Sequence, residues 1–207
     1  RATGVHRNLR ATVTIVAPIH GNEKQIIIAL DHCVMGKKEM DDLLNRITNS
    51  CSITKQEVIV VFSHTHAAGL MDLERRTLPG GDLIGPYLEG IALKISQLIN
   101  KSINDLQPAT IIYGIGKCDL AANRDYWDED NQTWVCGFNP RTKSDDTLLV
   151  AKVFSEKNSL IATLVNYACH PTTLAWDNTL ISSDFVGNEF FLNFIKKFYP
   201  KINFYYL

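Results

Sequence analysis

The sequence lacks an excess of charge of either sign. Its 207 residues include 21 Lys and Arg against 22 Asp and Glu, which gives a formal net charge of -1. A chain with so little net charge has no field that would favour a polyanion such as nucleic acid, or an anionic membrane, over other partners. We therefore expect the partner to be a small molecule and not a nucleic acid.

Long apolar runs and paired cysteines are also missing. The longest apolar stretches, such as residues 57–62 and 160–167, are far shorter than the roughly 20 residues that a helix needs to cross a bilayer. The five cysteines are scattered and form no Cys-x-x-Cys pair, which argues against a zinc ribbon or a redox motif. The sequence thus predicts no transmembrane segment, and the odd number of cysteines leaves the compartment open.

Neither end of the chain carries a boundary signal. Arg1 starts a segment with neither an initiator Met nor a signal-peptide pattern, and residues 202–207 are a strand-like apolar run with no turn after them. With 45% hydrophobic residues, the chain can bury one sizeable core. We interpret residues 1–207 as a fragment of a single domain, truncated at both ends.

Hydrophobic periodicity predicts an α/β fold with a layered mixed β-sheet core, flanking helices and active-site loops at strand ends. Apolar residues at helical spacing predict helices at 37–50 and from Pro86 onward, whereas 57–62 and 109–115 are continuous apolar runs typical of fully buried strands. The other predicted elements are a hairpin of strands 12–18 and 25–34, strands 148–154 and 160–169, and a helix at 185–198. Long irregular loops follow both buried strands, and such loops usually carry the sites of α/β proteins.

The first candidate site is the sequence Ser63-His64-Thr65-His66, which follows the predicted strand 57–62. Residues i and i+2 of a strand point to the same face, so His64 and His66 are predicted to face one spot. Neutral imidazole is the commonest zinc ligand, and a strand end fixes the orientation of the ring. A His-x-His motif also occurs by chance in loops, so two surface histidines are the alternative.

A second histidine lies at another predicted strand end, in the segment N-Y-A-C-H-P-T-T of residues 166–173. The strand is expected to stop at His170, because Pro171 cannot extend a β ladder. Closed zinc sites need ligands from separate elements, which makes His170 a candidate ligand. The alternative is a buried histidine that bonds to the backbone.

The loop after strand 109–115 contains an anion-binding candidate. The guanidinium of Arg124 stays charged and presents a rigid fork that suits a developing negative oxygen, although most loop arginines are simply solvated. Asp31, at the end of a predicted strand, is either a partner for a histidine or a turn residue. Asp184, in Ser182-Ser183-Asp184, precedes the last predicted helix, where a helix cap is the ordinary role.

Together these segments resemble the neutral/alkaline ceramidase family. The matching segments are, in order, S-H-T-H at 63–66, N-R at 123–124 with N-P at 139–140, N-Y-A-C-H-P-T-T at 166–173 and I-S-S-D-F-V-G at 181–187. The resemblance covers most of the chain. It implies the N-terminal part of a zinc-dependent amidohydrolase domain, which cleaves N-acylsphingosine (ceramide) to sphingosine and a fatty acid.

The resemblance also implies a role for each matching residue. His64 and His170 match two of the family's zinc ligands, His66 matches its acid/base group, and Arg124 matches the arginine near the scissile amide oxygen. The family's remaining ligands, a Glu and a Tyr, are expected beyond Leu207. The residues predicted to contact substrate are Asn123, Trp127 and Asn139, and those predicted to support the ligands are Asp31 and Asp184.

The chain also departs from the family pattern, and this leaves alternatives open. After His66, ceramidases typically continue with Ser-Gly-Pro-Gly, whereas this chain has Ala67-Ala68-Gly69-Leu70. The alternatives are a metallohydrolase of the same scaffold that acts on another amide or ester, and a non-catalytic lipid-binding homologue. A two-metal His-x-His-x-Asp hydrolase is disfavoured, because Ala68 stands where its Asp ligand is required.

Family analogy also gives expectations about the surroundings of the protein. It favours a lipid amide substrate, peripheral contact with a membrane surface, and a secreted or periplasmic location. The oligomeric state does not follow from the sequence.

Overall fold

The computed structural model describes residues 2–174 and 177–187, and the backbone of residues 203–206. Its α-helices are Lys37–Ser50 (α1) and Ile84–Asn104 (α2), within these described ranges. The strands in the same ranges are Gly4–Val5 (β1), Ala11–Val16 (β2), Gln25–Leu30 (β3), Val58–Phe62 (β4), Ala109–Lys117 (β5), Asp125–Asp128 (β6), Thr133–Cys136 (β7), Thr147–Ser155 (β8), Leu160–Tyr167 (β9), Leu180–Ile181 (β10) and Asn203–Tyr206 (β11). Mixed sheets together with helices confirm the predicted α/β class.

The chain divides into two compact units. The first unit comprises Arg1–Leu106 and Pro171–Leu192, and the second comprises Gln107–His170 and Asn193–Leu207. Each unit has a sheet of its own.

The sheet of the first unit has the order β2-β3-β4. Strands β2 and β3 are antiparallel, which confirms the predicted hairpin, although both strands end before the predicted limits. Strands β3 and β4 are parallel and are joined through α1, in register from Ile26 opposite Val58 to Leu30 opposite Phe62. This parallel pair places the carboxyl ends of β3 and β4 side by side.

The core of the first unit lies between this sheet and the two helices. Alternate residues of β3 are buried, as expected for a strand with one covered face. Helix α1 has the predicted limits, and α2 begins two residues before Pro86, which is tolerated in a first turn because the N–H groups there have no intrahelical acceptor. The fully or nearly fully buried apolar residues of this core are Ile26, Ile28, Leu30, Leu43, Ile47, Ala92, Ile95 and Ile99.

The sheet of the second unit has the order β11-β5-β8-β9, with antiparallel neighbours throughout. Strands β8 and β9 confirm the two strands predicted from apolar patterning, with small shifts of their limits. The loop predicted to be irregular between residues 117 and 146 contains a short hairpin of β6 and β7. Most of the predicted helix 185–198 lies outside the described residues, and residues 185–187 form a turn.

The prediction that residues 57–62 and 109–115 form fully buried strands was wrong. Ile59 and Val61 of β4 are 47% and 42% exposed, and Ile115 of β5 is 56% exposed, in the structure as described. Both strands have one covered face and one open face. A continuous apolar run does not by itself show how many faces of a strand are covered. Among the described residues, neither helix is both long and apolar enough to cross a bilayer.

A glycine in the middle of α2 provides a test of this arrangement. A Cβ added at Gly90 meets no atom within 4 Å, so an alanine fits there without a clash. Since Ala has the higher helix propensity, we expect Gly90→Ala to raise the free energy of unfolding by up to about 1 kcal/mol, measured by urea denaturation. The contrasting variant is Gly81→Ala, whose Cβ would lie 2.7 Å from the Cα of Arg76, and which should destabilise the protein. A destabilised Gly90→Ala variant would contradict the described environment of α2.

Candidate metal centre

The candidate centre of the first unit lies where the parallel strands β3 and β4 end. The N–H of Ser63 donates to the carbonyl of Leu30 at 2.9 Å, and the N–H of His64 donates to the carbonyl of His32 at 2.9 Å. These bonds continue the pairing of the two strands for two residues beyond Phe62. The residues that follow Leu30 and Phe62 are therefore held next to each other.

The backbone turns sharply at His64. Strand β4 ends at Phe62, and His64 has a φ of 63°, in the left-handed region that non-glycine residues rarely adopt. The alternation of an extended strand therefore does not position His64 and His66, and that part of the prediction was wrong. The two imidazole rings nevertheless lie together, with centroids 5.3 Å apart and planes at 63°. A strained backbone of this kind is often found at functional sites.

Cys33 lies beside His64 and His66. The Sγ atom of Cys33 lies 4.0 Å from Nε2 of His64, and one ligand atom from each of Cys33, His64 and His66 lies within 4.8 Å of the others. Cys33 is buried, His64 is half-buried and His66 is exposed. Imidazole and thiolate suit zinc, whereas magnesium and calcium prefer oxygen ligands. The donor set of this cluster therefore fits the metal that the sequence predicts.

Sequence reasoning did not single out Cys33. It lies 31 residues before His64 in the chain, outside any local motif. The signal that could have found it is the parallel pairing of β3 and β4, because residues just after two neighbouring parallel strands meet at one edge of the sheet.

Burial controls the titration of the groups beside the cluster. It lowers the pKa of His32, whose Nε2 lies 2.8 Å from the Tyr87 hydroxyl, and it raises the pKa of the Cys33 thiol. Burial also raises the pKa of Asp31, although the hydrogen bond from the Arg10 N–H opposes this effect. Asp31 thus holds backbone of the first unit, and its predicted support of a ligand stays a prediction.

The threonine of the His-Thr-His motif has a structural role. Thr65 is fully buried; its hydroxyl donates to the carbonyl of Ser182 at 2.9 Å and accepts the N–H of Ala67 at 3.2 Å. The Ser182 N–H donates in return to the carbonyl of Ala67 at 2.9 Å. The N–H of His66 donates to the carbonyl of Pro171 at 3.4 Å. The loop of residues 63–67, called the histidine loop, is therefore hydrogen-bonded to two other segments that match the family, at Pro171 and at Ser182.

Asp184 binds the segment that follows His170 in the sequence. Its Oδ1 accepts the Thr173 hydroxyl at 2.5 Å and the Phe185 N–H at 2.6 Å, and its Oδ2 accepts the Leu174 N–H at 3.3 Å. Asp184 is nearly fully buried and has a φ of 56°. Its carboxylate therefore fixes Thr173 and Leu174, and its predicted support of a metal ligand stays a prediction.

The second unit brings Arg124 and His170 together. Strand β9 ends at Tyr167, two residues before the predicted limit, and His170 follows in an irregular segment. The guanidinium of Arg124 donates to Nδ1 of His170. A guanidinium has no acceptor atom, so the ring nitrogen of His170 is the acceptor in this contact. Two residues that the sequence assigned to one site are thus in contact.

The loop that contains Arg124 is shaped by its two asparagines. The side-chain oxygen of Asn123 accepts the Asp125 N–H at 3.0 Å, and the side-chain amide of Asn139 donates to the Asp125 carbonyl at 2.8 Å. The Asn139 N–H donates to the Asn123 carbonyl at 3.0 Å. Both side chains therefore organise the loop, and their predicted contact with substrate stays a prediction.

An open cleft lies beside Arg124 in the second unit. Its volume is about 480 Å³, and its walls include Asn123, Arg124 and Trp134. Trp134 is 66% exposed and makes an edge-to-face contact with Trp127, with ring centroids 5.3 Å apart. The predicted substrate contact, Trp127, thus lies behind Trp134, which lines the cleft directly.

Comparisons with known proteins show the fold and the family of the chain. No curated protein matches the chain. Two solved structures share its fold: one titled "Ceramidase complexed with C2", with a TM-score of 0.69, and the neutral ceramidase from Pseudomonas aeruginosa, with a TM-score of 0.67. Each is 17% identical and matches 87% of this chain, which spans only 29% of the length of either structure. The profile of the neutral/alkaline non-lysosomal ceramidase N-terminal domain matches residues 1–192, and the chain therefore belongs to the neutral/alkaline non-lysosomal ceramidase family.

Proposed function

We propose that this chain is the N-terminal part of a zinc-dependent amidohydrolase that cleaves ceramide to sphingosine and a fatty acid. The observation that carries the proposal is the convergence of His64 and His66 with Cys33 at the ends of two parallel strands. Membership of the ceramidase family supplies the substrate class. The left-handed backbone at His64 further supports a functional role, because such strain persists only where the surrounding structure imposes it.

His64 and His170 are the proposed ligands of the metal. The assignment of His170 rests on the family resemblance. Within the first unit, the carbonyl of Pro171 accepts a hydrogen bond from the N–H of His66, and Asp184 binds Thr173 and Leu174.

Arg124 and His170 are in contact in the second unit, so two residues of the proposed site lie together. The guanidinium of Arg124 is the proposed partner of the oxygen of the scissile amide, because it stays charged and presents a rigid fork of donors.

Each residue then has a distinct chemical task. A zinc ion held by His64 and His170 would supply Lewis-acid chemistry and would favour the ionisation of water near pH 7. His66, the exposed member of the cluster, accepts a proton from the attacking water and returns it to the leaving amine. Arg124 stabilises the negative charge that develops on the amide oxygen. The cleft that Arg124 shares with Trp134 offers an apolar wall for part of the substrate.

The test measures metal content and turnover in the full-length protein. We expect near-stoichiometric zinc in the wild type by elemental analysis, and little zinc in His64→Ala and His170→Ala. Since loss of a group that merely supports a ligand already costs about 10–100-fold in metal affinity, loss of a ligand should cost more than about 100-fold. Hydrolysis of a fluorescent N-acylsphingosine should fall with the zinc content. His20→Ala, in the exposed turn before β3, is the matched control and should behave as the wild type.

The other outcomes separate the alternatives. Bound zinc without ceramide turnover would leave a metallohydrolase for another amide or ester. Bound zinc with no hydrolysis of any amide or ester tested would indicate a non-catalytic lipid-binding homologue. Unchanged zinc content in both histidine variants would contradict the ligand assignment.

A further inference from the structure

We propose that Tyr87 is a positioning residue for the metal centre, and that it holds the backbone of His64 through His32. Tyr87 lies in the first turn of α2, outside the motifs at residues 63–66 and 166–173. This inference rests on the proposed function, because it requires a metal ion at His64. It adds no ligand and leaves the rest of the coordination sphere unchanged.

The backbone of His64 needs support from outside its own strand. Its φ of 63° lies in the left-handed region, which a residue with a side chain keeps only where the surrounding contacts impose it. One such contact is the hydrogen bond from the His64 N–H to the His32 carbonyl, at 2.9 Å. His32 lies two residues beyond the end of β3, so the position of its carbonyl depends on how the rest of His32 is held.

The ring of His32 is anchored by Tyr87. His32 is nearly fully buried, and its Nε2 lies 2.8 Å from the Tyr87 hydroxyl. The two rings meet edge to face, with centroids 5.5 Å apart and planes at 73°. The other ring nitrogen, Nδ1, is buried and has no hydrogen-bond partner among the residues that the structure describes. Within that part of the chain, the bond to Tyr87 therefore sets the orientation of the ring.

Tyr87 is in turn held by the start of α2. Ile84 and Leu88, on either side of it in the sequence, are buried and fix the first turn of the helix. Tyr87 itself is 40% exposed, and its hydroxyl is the end that reaches His32. A group whose own position is fixed by packing holds the next residue more precisely than a group on a free loop. The contacts thus run from the helix through the His32 ring to the backbone of His64.

A hydrogen bond to a buried ring also stabilises a fold, and the two roles predict different results. If the bond only stabilised the first unit, its loss would lower the urea midpoint and leave the zinc affinity of the folded protein unchanged. If the bond positions His64, its loss should weaken zinc binding by protein that is fully folded. The Tyr87 bond fits the second role, because the residue that it orients is bonded directly to His64.

The first measurement compares Tyr87→Phe with the wild type in the full-length protein. Phe keeps the ring and removes only the hydroxyl. Zinc affinity, measured by competition with a chelator, should fall by about tenfold, the lower end of the range for groups that support a ligand. At saturating zinc, kcat for a fluorescent N-acylsphingosine should fall while KM stays unchanged, since Tyr87 supports a metal ligand and does not bind substrate. Tyr113→Phe, at an exposed tyrosine of β5, is the matched control and should behave as the wild type.

Two replacements of His32 test the bond itself. The wild-type bond uses Nε2. The side-chain nitrogen of Gln can occupy the position of Nε2, whereas that of Asn lies nearer the position of Nδ1. We therefore expect His32→Gln to keep most of the zinc affinity, and His32→Asn to lose about as much as Tyr87→Phe. The double variant of Tyr87→Phe and His32→Asn should lose little more than either single variant, because both changes break the same bond.

The outcomes distinguish this inference from the proposed function. Urea denaturation of the same preparations identifies the variants that are folded. A folded Tyr87→Phe protein with wild-type zinc affinity would overturn the inference, and so would equal losses in His32→Gln and His32→Asn, whether or not Tyr87→Phe folds. A wild type that binds zinc without cleaving ceramide would remove the proposed substrate, and the zinc affinities would still decide the role of Tyr87. A wild type that binds no zinc would overturn the proposed function together with this inference.

Discussion

Gly187→Ala is expected to lower the free energy of unfolding by about 3 kcal/mol, at the upper end of the range for overpacking. A Cβ at Gly187 would overlap both the Cβ and the hydroxyl of Ser183, which is buried. A rotation of the serine side chain moves its hydroxyl but leaves its Cβ in place. The backbone must therefore shift, and the loss should be visible as a lower urea midpoint with an unchanged slope.

Two controls make this prediction specific to the contact. The same change at Gly90, where a Cβ meets nothing within 4 Å, should not destabilise the protein. Ser183→Gly combined with Gly187→Ala removes the overlapping atoms and should recover part of the lost stability, as a coupling energy in a double-mutant cycle. A Gly187→Ala variant as stable as the wild type would contradict the close contact between Gly187 and Ser183.

Asp184→Ala is expected to cost about 3 kcal/mol and to reduce the bound zinc. The change removes a buried carboxylate that accepts hydrogen bonds from the Thr173 hydroxyl and from the N–H groups of Leu174 and Phe185. Donors left without a charged acceptor account for most of the loss. The left-handed backbone at Asp184, where Ala is less favourable than Asp or Asn, adds to it. Thermal denaturation and elemental analysis of the same preparations measure both effects.

Asp184→Asn is the matched variant. Asn tolerates the left-handed backbone and keeps one side-chain oxygen as an acceptor. Its NH₂ group replaces the other oxygen, so a donor faces a group that donated a hydrogen bond to the carboxylate. We expect about half the loss of stability seen with Ala. If Asp184→Ala retains full zinc content despite its lower stability, then the segment after His170 does not need this carboxylate to bind metal.

The sequence predicted best those elements whose patterns have one interpretation. The helical spacing of apolar residues gave α1 its observed limits, and turn residues between two apolar strands gave the hairpin of β2 and β3. The apolar runs in β4 and β5 were misinterpreted, because the number of covered faces depends on how the sheets pack and not on the strand itself.

The candidate site could be predicted only where its residues form local motifs. His64 and His66 were found because they are adjacent in sequence, yet their rings meet through a left-handed residue that strand alternation does not anticipate. Cys33 was missed because only the parallel pairing of β3 and β4 brings it to His64. The role of Thr65 was missed as well, since its partner Ser182 is 117 residues away in the sequence.

The distance in sequence between Thr65 and Ser182 determines when the loop of residues 63–67 can form its hydrogen bonds during synthesis. Cys33, His64 and His66 precede Ser182 in the chain, and Ser182, whose carbonyl binds Thr65, is synthesised 117 residues after Thr65. Because translation proceeds from the N-terminal side at roughly 5–20 residues per second, these three residues are synthesised several seconds before Ser182. We therefore expect Cys33, His64 and His66 of the nascent chain to be accessible for that interval, before the hydrogen bonds to Ser182 form. Metal ions in the compartment can compete for these side chains during that time.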